Sequence, residues 1–245
     1  MKAVALIPAR SGSVRVPDKN IYNIGGHPLL AYTIDVAKKS RVFDEILVVT
    51  DSELYKDIAI AYGAQVPGIR PSIISSSTSA DIDWVKWIFN KHLIAEKFDI
   101  FSILRPTSPL RTVKTIQKAF EKFISLPKCD SLRAVSIANE HPGKMWRKSG
   151  ELINPLLPFD IDGVPWHSNQ IAKLPQVFTQ NASLEIAWVN VITEMESISG
   201  NVVKAFETEG LEGFDINVME DLLFLEFLIE RNKVSLPKIG LPKNS

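Results

Sequence analysis

Short runs of consecutive apolar residues recur through the first half of the chain. Each run is rich in β-branched residues and is followed by a polar or proline-containing turn, which is typical of a strand buried on both faces of a sheet. We expect strands at 3–7, 46–50, 100–104 and 132–137, and a shorter one at 64–66.

The segments between these runs carry apolar residues at helical spacing. Asp51 and Ser52 can cap a helix at 53–62, and Gly63 can end it. Thr112 can cap another helix that extends to residue 123. Further helices are expected at 81–92 and 218–231. Because strands alternate with helices, the pattern predicts an α/β fold with a doubly wound, mainly parallel sheet of the Rossmann-like kind.

The pattern changes between residues 140 and 180, where prolines are frequent and the apolar residues have no clear period. A long irregular stretch inside a compact domain usually has a function. We interpret 140–187 as an excursion from a single domain that spans residues 1–245, forming a small subdomain or a dimerisation arm. A returning strand at 181–190 and a short strand at 214–217 complete the pattern.

Composition excludes several classes of protein. Positive and negative side chains are equal at 28 each, so nothing indicates a nucleic-acid partner. One cysteine, Cys129, cannot form an intramolecular disulfide and fits a reducing, cytoplasmic compartment. The first residues lack a signal-peptide pattern and no apolar run approaches membrane-spanning length, so we expect no membrane association.

Candidate chemistry first appears in the loop after the first strand, which is rich in small residues and carries three cations. Its candidate phosphate-binding residues are Ala9, Arg10, Ser11, Gly12, Ser13, Arg15, Lys19 and Asn20. Open α/β sheets bind ligands beyond the carboxyl ends of their strands. Small residues let backbone N–H groups approach phosphates, and cations neutralise them. The alternative is an ordinary surface loop. The glycine patterns of Walker-type and dinucleotide-binding loops are absent.

A second candidate stretch, 104–111, follows the strand expected at 100–104. Arg105 and Arg111 offer forked cations that suit a carboxylate or a phosphate, and Thr107 and Ser108 offer hydroxyl groups. The alternative is a rigid turn with surface arginines. Together with the opening loop, the stretch favours a binding site at this edge of the sheet.

Both stretches resemble the acylneuraminate cytidylyltransferase family, the CMP-sialic acid synthetases. The family opening, approximately I-P-A-R-x-x-S-K-x-x-x-x-K-N, is matched at Ile7, Pro8, Ala9, Arg10, Ser13, Lys19 and Asn20. The family lysine after the serine is Val14 here. The family stretch L-Q-P-T-S-P-L-R differs from 104–111 only at Arg105, where the family commonly has a glutamine that contacts the sugar acid.

The resemblance covers nearly the whole chain and is weaker at the sugar end. Arg70 and Pro71 are similar to an R-P element near the nucleotide. Residues 215–217 resemble a D-I-D motif whose carboxylates hold Mg²⁺, although Asn217 replaces the second aspartate. Residues 140–144 and 170–185 resemble the family segments that meet the acyl sugar acid.

The resemblance implies a reaction in which CTP and a 2-keto-3-deoxy sugar acid give a CMP-sugar and pyrophosphate. It implies catalytic roles for Arg10, Lys19 and Asp215. It places the nucleotide against the opening loop and against Arg70, Ser108 and Arg111. It places the sugar acid against Arg105, Thr107, Lys144, Gln170 and Asn181. It implies Mg²⁺ as cofactor, held by Asp215 and Asn217. From the irregular excursion we also expect a homodimer that buries Trp146, Leu156, Leu157 and Phe159, the alternative being that these residues pack on their own domain.

Two alternatives stay open from the residues. The first is a nucleotidyltransferase with another acceptor, such as a sugar 1-phosphate. The departures from the family at Arg105, Asn169 and Asn217 favour it, because the extra cation could meet a phosphate. The second is a catalytically inactive relative that binds nucleotide, because Asn217 and Val14 lack the family's charges.

Overall fold

The structure is a computed structural model and describes residues 1–240. Its strands are β1 (Ala3–Pro8), β2 (Asn23–Ile24), β3 (His27–Pro28), β4 (Glu45–Val49), β5 (Ile100–Ile103), β6 (Ser131–Ile137), β7 (Trp146–Ser149), β8 (Leu152–Pro155), β9 (Asp160–Ile161), β10 (Val164–Pro165), β11 (Phe178–Trp188) and β12 (Val203–Glu207). Its α-helices are α1 (Leu29–Ser40), α2 (Glu53–Ala61), α3 (Asp81–His92), α4 (Ile94–Lys97), α5 (Val113–Ser125), α6 (Asn190–Thr193) and α7 (Met219–Glu230).

Six strands form the central sheet in the order β12-β6-β11-β5-β1-β4. β1 pairs in parallel with both β4 and β5, whereas β11 pairs antiparallel with β5. Helices cover the sheet, so the prediction of an α/β fold with a mainly parallel sheet is confirmed.

Alternation of side chains along β1 explains how one short strand supports two cores. Ala3, Ala5 and Ile7 face a cluster that includes residues of α1, α2 and α5. Val4 and Leu6 face a second cluster that includes residues of α3. Successive side chains of a strand point to opposite faces, so an uninterrupted apolar run is what a strand between two layers requires.

A third apolar cluster fixes the chain around the carboxyl ends of these strands. Val16, Ile24 and Tyr32 pack there with Ile216 and with Leu222 of α7. The cluster therefore joins the loop after β1 to the segment before α7. These two segments are far apart in sequence and carry the predicted phosphate and metal residues.

The chain divides into two compact units. The first contains residues 1–134 and the described residues from 181 onward, and the second is Val135–Gln180. The second unit contains the antiparallel pairs β7–β8 and β9–β10. It covers most of the predicted 140–187 excursion, but residues 181–187 belong to the first unit as part of β11.

Three strand assignments differ from the sequence pattern. The strand predicted at 64–66 is reduced to one isolated parallel bridge, between Leu47 and Gln65. The strand predicted at 214–217 is wrong, because this segment is irregular and Ile216 makes one backbone hydrogen bond, to Thr107 O at 2.9 Å. The pattern also missed β12, an edge strand in which only Phe206 is buried. Among residues 1–240, none of the helices combines the length and apolar character needed to cross a bilayer.

Candidate active site

A cavity of about 310 Å³ lies where β1 and β5 end. Its lining residues are Pro8, Arg10, Ser13, Lys19, Asn20, Arg70, Ser76, Ser77, Ser79, Asp81, Trp84, Arg105, Pro106, Thr107, Asp215 and Asn217. Four of these side chains are cationic and two are carboxylates, so the cavity carries excess positive charge. A cavity of this kind attracts an anionic ligand.

The loop after β1 is held by hydrogen bonds at several points. Asp51 accepts from the Ser11 N–H at 2.7 Å, and the Asn20 side chain donates to Arg10 O at 2.9 Å. The N–H of Ser13 donates to Ser11 O at 2.8 Å. Small residues were expected to let backbone N–H groups of this loop approach phosphates. Those of Ser11 and Ser13 are already used, and the loop meets the cavity mainly through side chains.

Two cations of this loop line the cavity. Arg10 donates to Gly12 O at 2.7 Å, and Lys19 donates to Ile216 O at 2.8 Å. Burial lowers the pKa of Lys19, as do Arg10 and Arg15, while Asp215 opposes the shift. Of the remaining predicted residues of the loop, Ala9, Ser11, Gly12 and Arg15 do not line the cavity.

Asp215 and Asn217 face the same cavity. The Asn217 amide donates to Asp215 Oδ2 at 2.8 Å, and Arg15 donates to Asn217 Oδ1 at 3.4 Å. Asp215 Oδ1 is buried and has no hydrogen-bond partner among the described residues. Asp221 accepts from the backbone N–H of Asn217 at 2.6 Å, which places that carboxylate at the start of α7.

The cavity lining also includes Arg70 and a serine-rich loop. Arg70 is buried, donates to Ile74 O from Nε at 2.8 Å and lies 6.0 Å from the ring centre of Trp84. Burial lowers the pKa of Arg70. Three serines of the following loop reach the cavity, namely Ser76, Ser77 and Ser79. They offer hydroxyl groups beside the arginine.

Arg105 and Thr107 line the cavity just beyond β5. Arg105 Nη2 donates to Asp81 Oδ2 at 2.6 Å and to Glu185 Oε1 at 3.1 Å. Burial opposes ionisation of Asp81, but the Arg105 charge and hydrogen bonds from Arg105 and Trp84 lower the pKa of Asp81 overall.

Arg111 and Ser108, predicted to contact the nucleotide, are not among the residues that line the cavity. Arg111 is 1% exposed and donates to Arg105 O at 2.8 Å, to Thr33 Oγ1 at 3.3 Å and to Ser183 O. Burial lowers the pKa of Arg111 to about 9. Ser108 is also buried, and its hydroxyl has no partner among residues 1–240. Both residues therefore belong to the packing beneath the cavity.

The remaining residues that were predicted to bind the sugar acid do not line this cavity. Asn181 is buried, donates to Thr208 Oγ1 at 3.0 Å and accepts from Ser183 N at 3.1 Å. Lys144 and Gln170 belong to the second unit. There Lys144 donates to His167 O at 2.9 Å and to Asn169 O, while Gln170 is exposed.

Sequence reasoning did not place Ser76, Ser79, Asp81 or Trp84 in the site. The available signal was the run of serines before a helix that begins with an acidic residue. The arrangement positions and neutralises an anion, which suits phosphoryl transfer by charge stabilisation. No cluster of three or more metal-binding side chains was found in the part of the chain that the structure describes.

Comparison with known proteins identifies the family of the chain. The sequence profile of a family described as cytidylyltransferase matches residues 4–156. A CMP-N,N'-diacetyllegionaminic acid synthase of Legionella pneumophila is 34% identical over 242 residues, covering 96% of this chain and 100% of that protein. An N-acylneuraminate cytidylyltransferase of Escherichia coli is 33% identical over 99% of this chain, which spans only 55% of that protein.

Solved structures agree in fold. A CMP:2-keto-3-deoxy-manno-octonic acid synthetase, complexed with CTP, superposes with a TM-score of 0.69 at 15% identity, covering 95% of this chain and 100% of its own. A cytidylyltransferase of Leptospira borgpetersenii gives a TM-score of 0.60 at 18% identity, covering 94% of this chain and 87% of its own.

Fold and site together define an α/β nucleotidyltransferase. The chain belongs to the cytidylyltransferase family. It is therefore an enzyme, and the catalytically inactive nucleotide binder considered from the sequence is not supported.

Proposed function

We propose that the enzyme transfers CMP from CTP to a sialic-acid-like 2-keto-3-deoxy sugar acid, a nonulosonate, and releases pyrophosphate. The observation that carries this proposal is the cavity in which Arg10, Lys19, Arg70 and Arg105 outnumber two carboxylates. The name of the Legionella pneumophila relative, which this chain spans in full, supports a nonulosonate as acceptor.

The reaction is a substitution at the α-phosphorus of CTP. The anomeric oxygen of the sugar acid forms the new bond to this phosphorus as the bond to pyrophosphate breaks, and the hydroxyl proton is released. Arg10 and Lys19 bind the triphosphate and neutralise the charge that grows on the departing pyrophosphate. Arg70, Asn20 and the serine-rich loop position the nucleotide, because all of them line the same cavity.

The residues present fit a magnesium site of low charge. Asp215 Oδ1 is buried and unpartnered among the described residues, so it is available as a ligand. Mg²⁺ commonly uses one or two carboxylates, with phosphate oxygens and waters completing its shell. Asp215 would hold it, and Asn217 would contribute through its hydrogen bond to Asp215. When bound there, the ion would supply further neutralisation of the triphosphate.

An acceptor panel tests the proposal. Purified enzyme is incubated with each of the four ribonucleoside triphosphates, Mg²⁺ and one acceptor, and pyrophosphate is measured. The acceptors are N,N'-diacetyllegionaminic, N-acetylneuraminic and 2-keto-3-deoxy-manno-octonic acids, with glucose 1-phosphate as the contrast. We expect turnover with CTP and a nonulosonate. Pyrophosphate release with the sugar phosphate alone would favour the alternative, a nucleotidyltransferase whose acceptor is a sugar 1-phosphate.

One specific observation favours the alternative hypothesis of a sugar 1-phosphate acceptor. Arg105 lines the cavity where the family commonly has glutamine, and a guanidinium can bind a phosphate as well as a carboxylate. Asp81 and Glu185 already neutralise much of its charge, so a dianionic phosphate is the less suitable ligand.

Assembly and location are part of the proposal. In the second unit, Trp146, Leu156 and Phe159 are exposed, and Leu157 is half-buried. We propose that a second copy of the chain covers them in a twofold homodimer. Light scattering that gives only a monomer at micromolar concentration would contradict this.

The single free thiol, at Cys129, suits work in a reducing cytoplasm.

A further inference from the structure

A chain of ion pairs crosses three strands beneath the cavity. Arg133 of β6 donates to Glu185 Oε2, and Arg105, just after β5, donates to Glu185 Oε1 at 3.1 Å. Glu185 lies on β11, which is the strand between β6 and β5. Asp81 at the start of α3 closes the chain by accepting from Arg105 at 2.6 Å.

Glu185 is the most buried member of this chain, and exposure increases from it through Arg105 to Asp81. The side chain of Glu185 is 7% exposed, that of Arg133 16%, that of Arg105 29% and that of Asp81 44%. A carboxylate as buried as Glu185 requires a partner for its charge. Arg133 is such a partner, and it does not line the cavity. The charge of Glu185 is therefore neutralised by Arg133 as well as by Arg105, and Glu185 can orient Arg105.

Arg105 keeps hydrogen-bonding capacity for a ligand. Both of its carboxylate partners bind Nη2. No described residue accepts a hydrogen bond from its Nε or Nη1. With Nη2 bound to Asp81 and Glu185, Arg105 can still donate a charge-assisted hydrogen bond from Nη1 or from Nε to an oxygen of a ligand carboxylate.

We propose that Glu185, backed by Arg133, is a positioning residue that holds Arg105 so that its free nitrogens bind the carboxylate of the acceptor. The inference rests on the proposed function, and it identifies the carboxylate as the group of the acceptor that the site recognises. Neither Glu185 nor Arg133 contacts the acceptor in this account. Both act through the orientation and the charge of Arg105.

The test compares a sugar acid with its methyl ester. The ratio of kcat/KM for N,N'-diacetyllegionaminic acid to that for its methyl ester is measured at saturating CTP. We expect the wild-type enzyme to prefer the acid by at least about tenfold, the scale of one charge-assisted contact. Glu185→Gln and Arg105→Gln should both reduce this preference to about threefold or less. A merely structural role for Glu185 would lower both rates together and leave the ratio unchanged.

Glu45→Gln is the matched control. Glu45 lies on β4, at the far edge of the sheet from β12, and pairs with His92 at 2.6 Å rather than with a cavity residue. It tests whether loss of any carboxylate from the sheet alters the ratio. We expect it to keep the wild-type preference for the acid.

Arg133→Gln provides a second test if Glu185→Gln fails to fold. Without Arg133, the Glu185 carboxylate loses the partner that fixes it, so it holds Arg105 less well and the preference for the acid should again fall. An active wild type whose ratio is unchanged by the Arg133 and Glu185 substitutions would overturn this inference alone. A wild type that forms no CMP-sugar with any sugar acid would overturn the proposed function, and this inference with it.

Discussion

The Asn217 side chain donates a hydrogen bond to Asp215 Oδ2 at 2.8 Å and leaves Asp215 Oδ1 without a partner among the described residues. An aspartate at position 217 could not donate this bond. The amide therefore orients one carboxylate instead of adding a second, and Asp215 lines the cavity in which we place the triphosphate.

The first prediction concerns this pair. Asp215→Asn should reduce kcat at least about a hundredfold, because the proposed metal loses its charged ligand. Asn217→Asp should lower the Mg²⁺ concentration that gives half the maximal rate, because a carboxylate binds a hard cation better than an amide does. Metal titrations of the three proteins measure both effects. Unchanged turnover and metal dependence in Asp215→Asn would exclude the site.

The second prediction concerns Arg10, which lines the cavity and donates to Gly12 O. Arg10→Ala should raise the KM for CTP or lower kcat by at least about tenfold, the scale of one lost charge-assisted contact. Steady-state kinetics with varied CTP measure this. Arg41→Ala is a suitable comparison, because Arg41 is exposed, follows α1 and does not line the cavity. Equal effects of the two substitutions would argue against a specific role for Arg10.

The third prediction concerns pH. Burial lowers the pKa of Lys19 below its ordinary value of 10.5, despite the opposing charge of Asp215. Lys19 must be protonated to bind a triphosphate, so kcat/KM for CTP should fall as the pH rises through this lowered pKa. Lys19→Arg should move the alkaline fall to higher pH, because a guanidinium keeps its proton. A pH profile that is identical in the two proteins would contradict the assignment.

The fourth prediction concerns Arg111, which the structure places in packing. Arg111→Met should destabilise the fold by about 3 kcal/mol, because the backbone oxygens of Ser183 and Arg105 lose their buried donors. Urea unfolding measures this. If the Arg111→Met variant remains folded in the absence of urea, its KM for CTP should stay within about threefold of the wild-type value. A large rise in KM without loss of stability would restore Arg111 to the nucleotide site.

Local sequence pattern was sufficient for the elements that carry the site. β1 has an uninterrupted apolar run, and Ser52 and Thr112 cap α2 and α5 as expected. It was insufficient for β12, where one buried side chain leaves no alternation to detect. The segment 214–217 has apolar residues that pack in the third cluster, and composition alone did not distinguish this packing from a strand.

Placing the side chains of the site needed tertiary structure. Arg105 and Arg111 are six positions apart on one turn, yet one enters the cavity and the other lies beneath it. Glu185 meets Arg105 because β11 inserts between β6 and β5, and no local pattern specifies that strand order. The sequence was sufficient to identify the candidate cationic residues. It was not sufficient to decide which of their side chains line the cavity and which are buried in the protein interior.

Product identity is the most direct test of the central claim. Phosphorus NMR follows CTP, Mg²⁺ and N,N'-diacetyllegionaminic acid with the wild-type enzyme, and mass spectrometry identifies the product. The account predicts conversion of CTP to equal amounts of pyrophosphate and a CMP-sugar phosphodiester, with no reaction in Asp215→Asn. Formation of CDP and inorganic phosphate, or reaction only when a sugar 1-phosphate replaces the sugar acid, would contradict it.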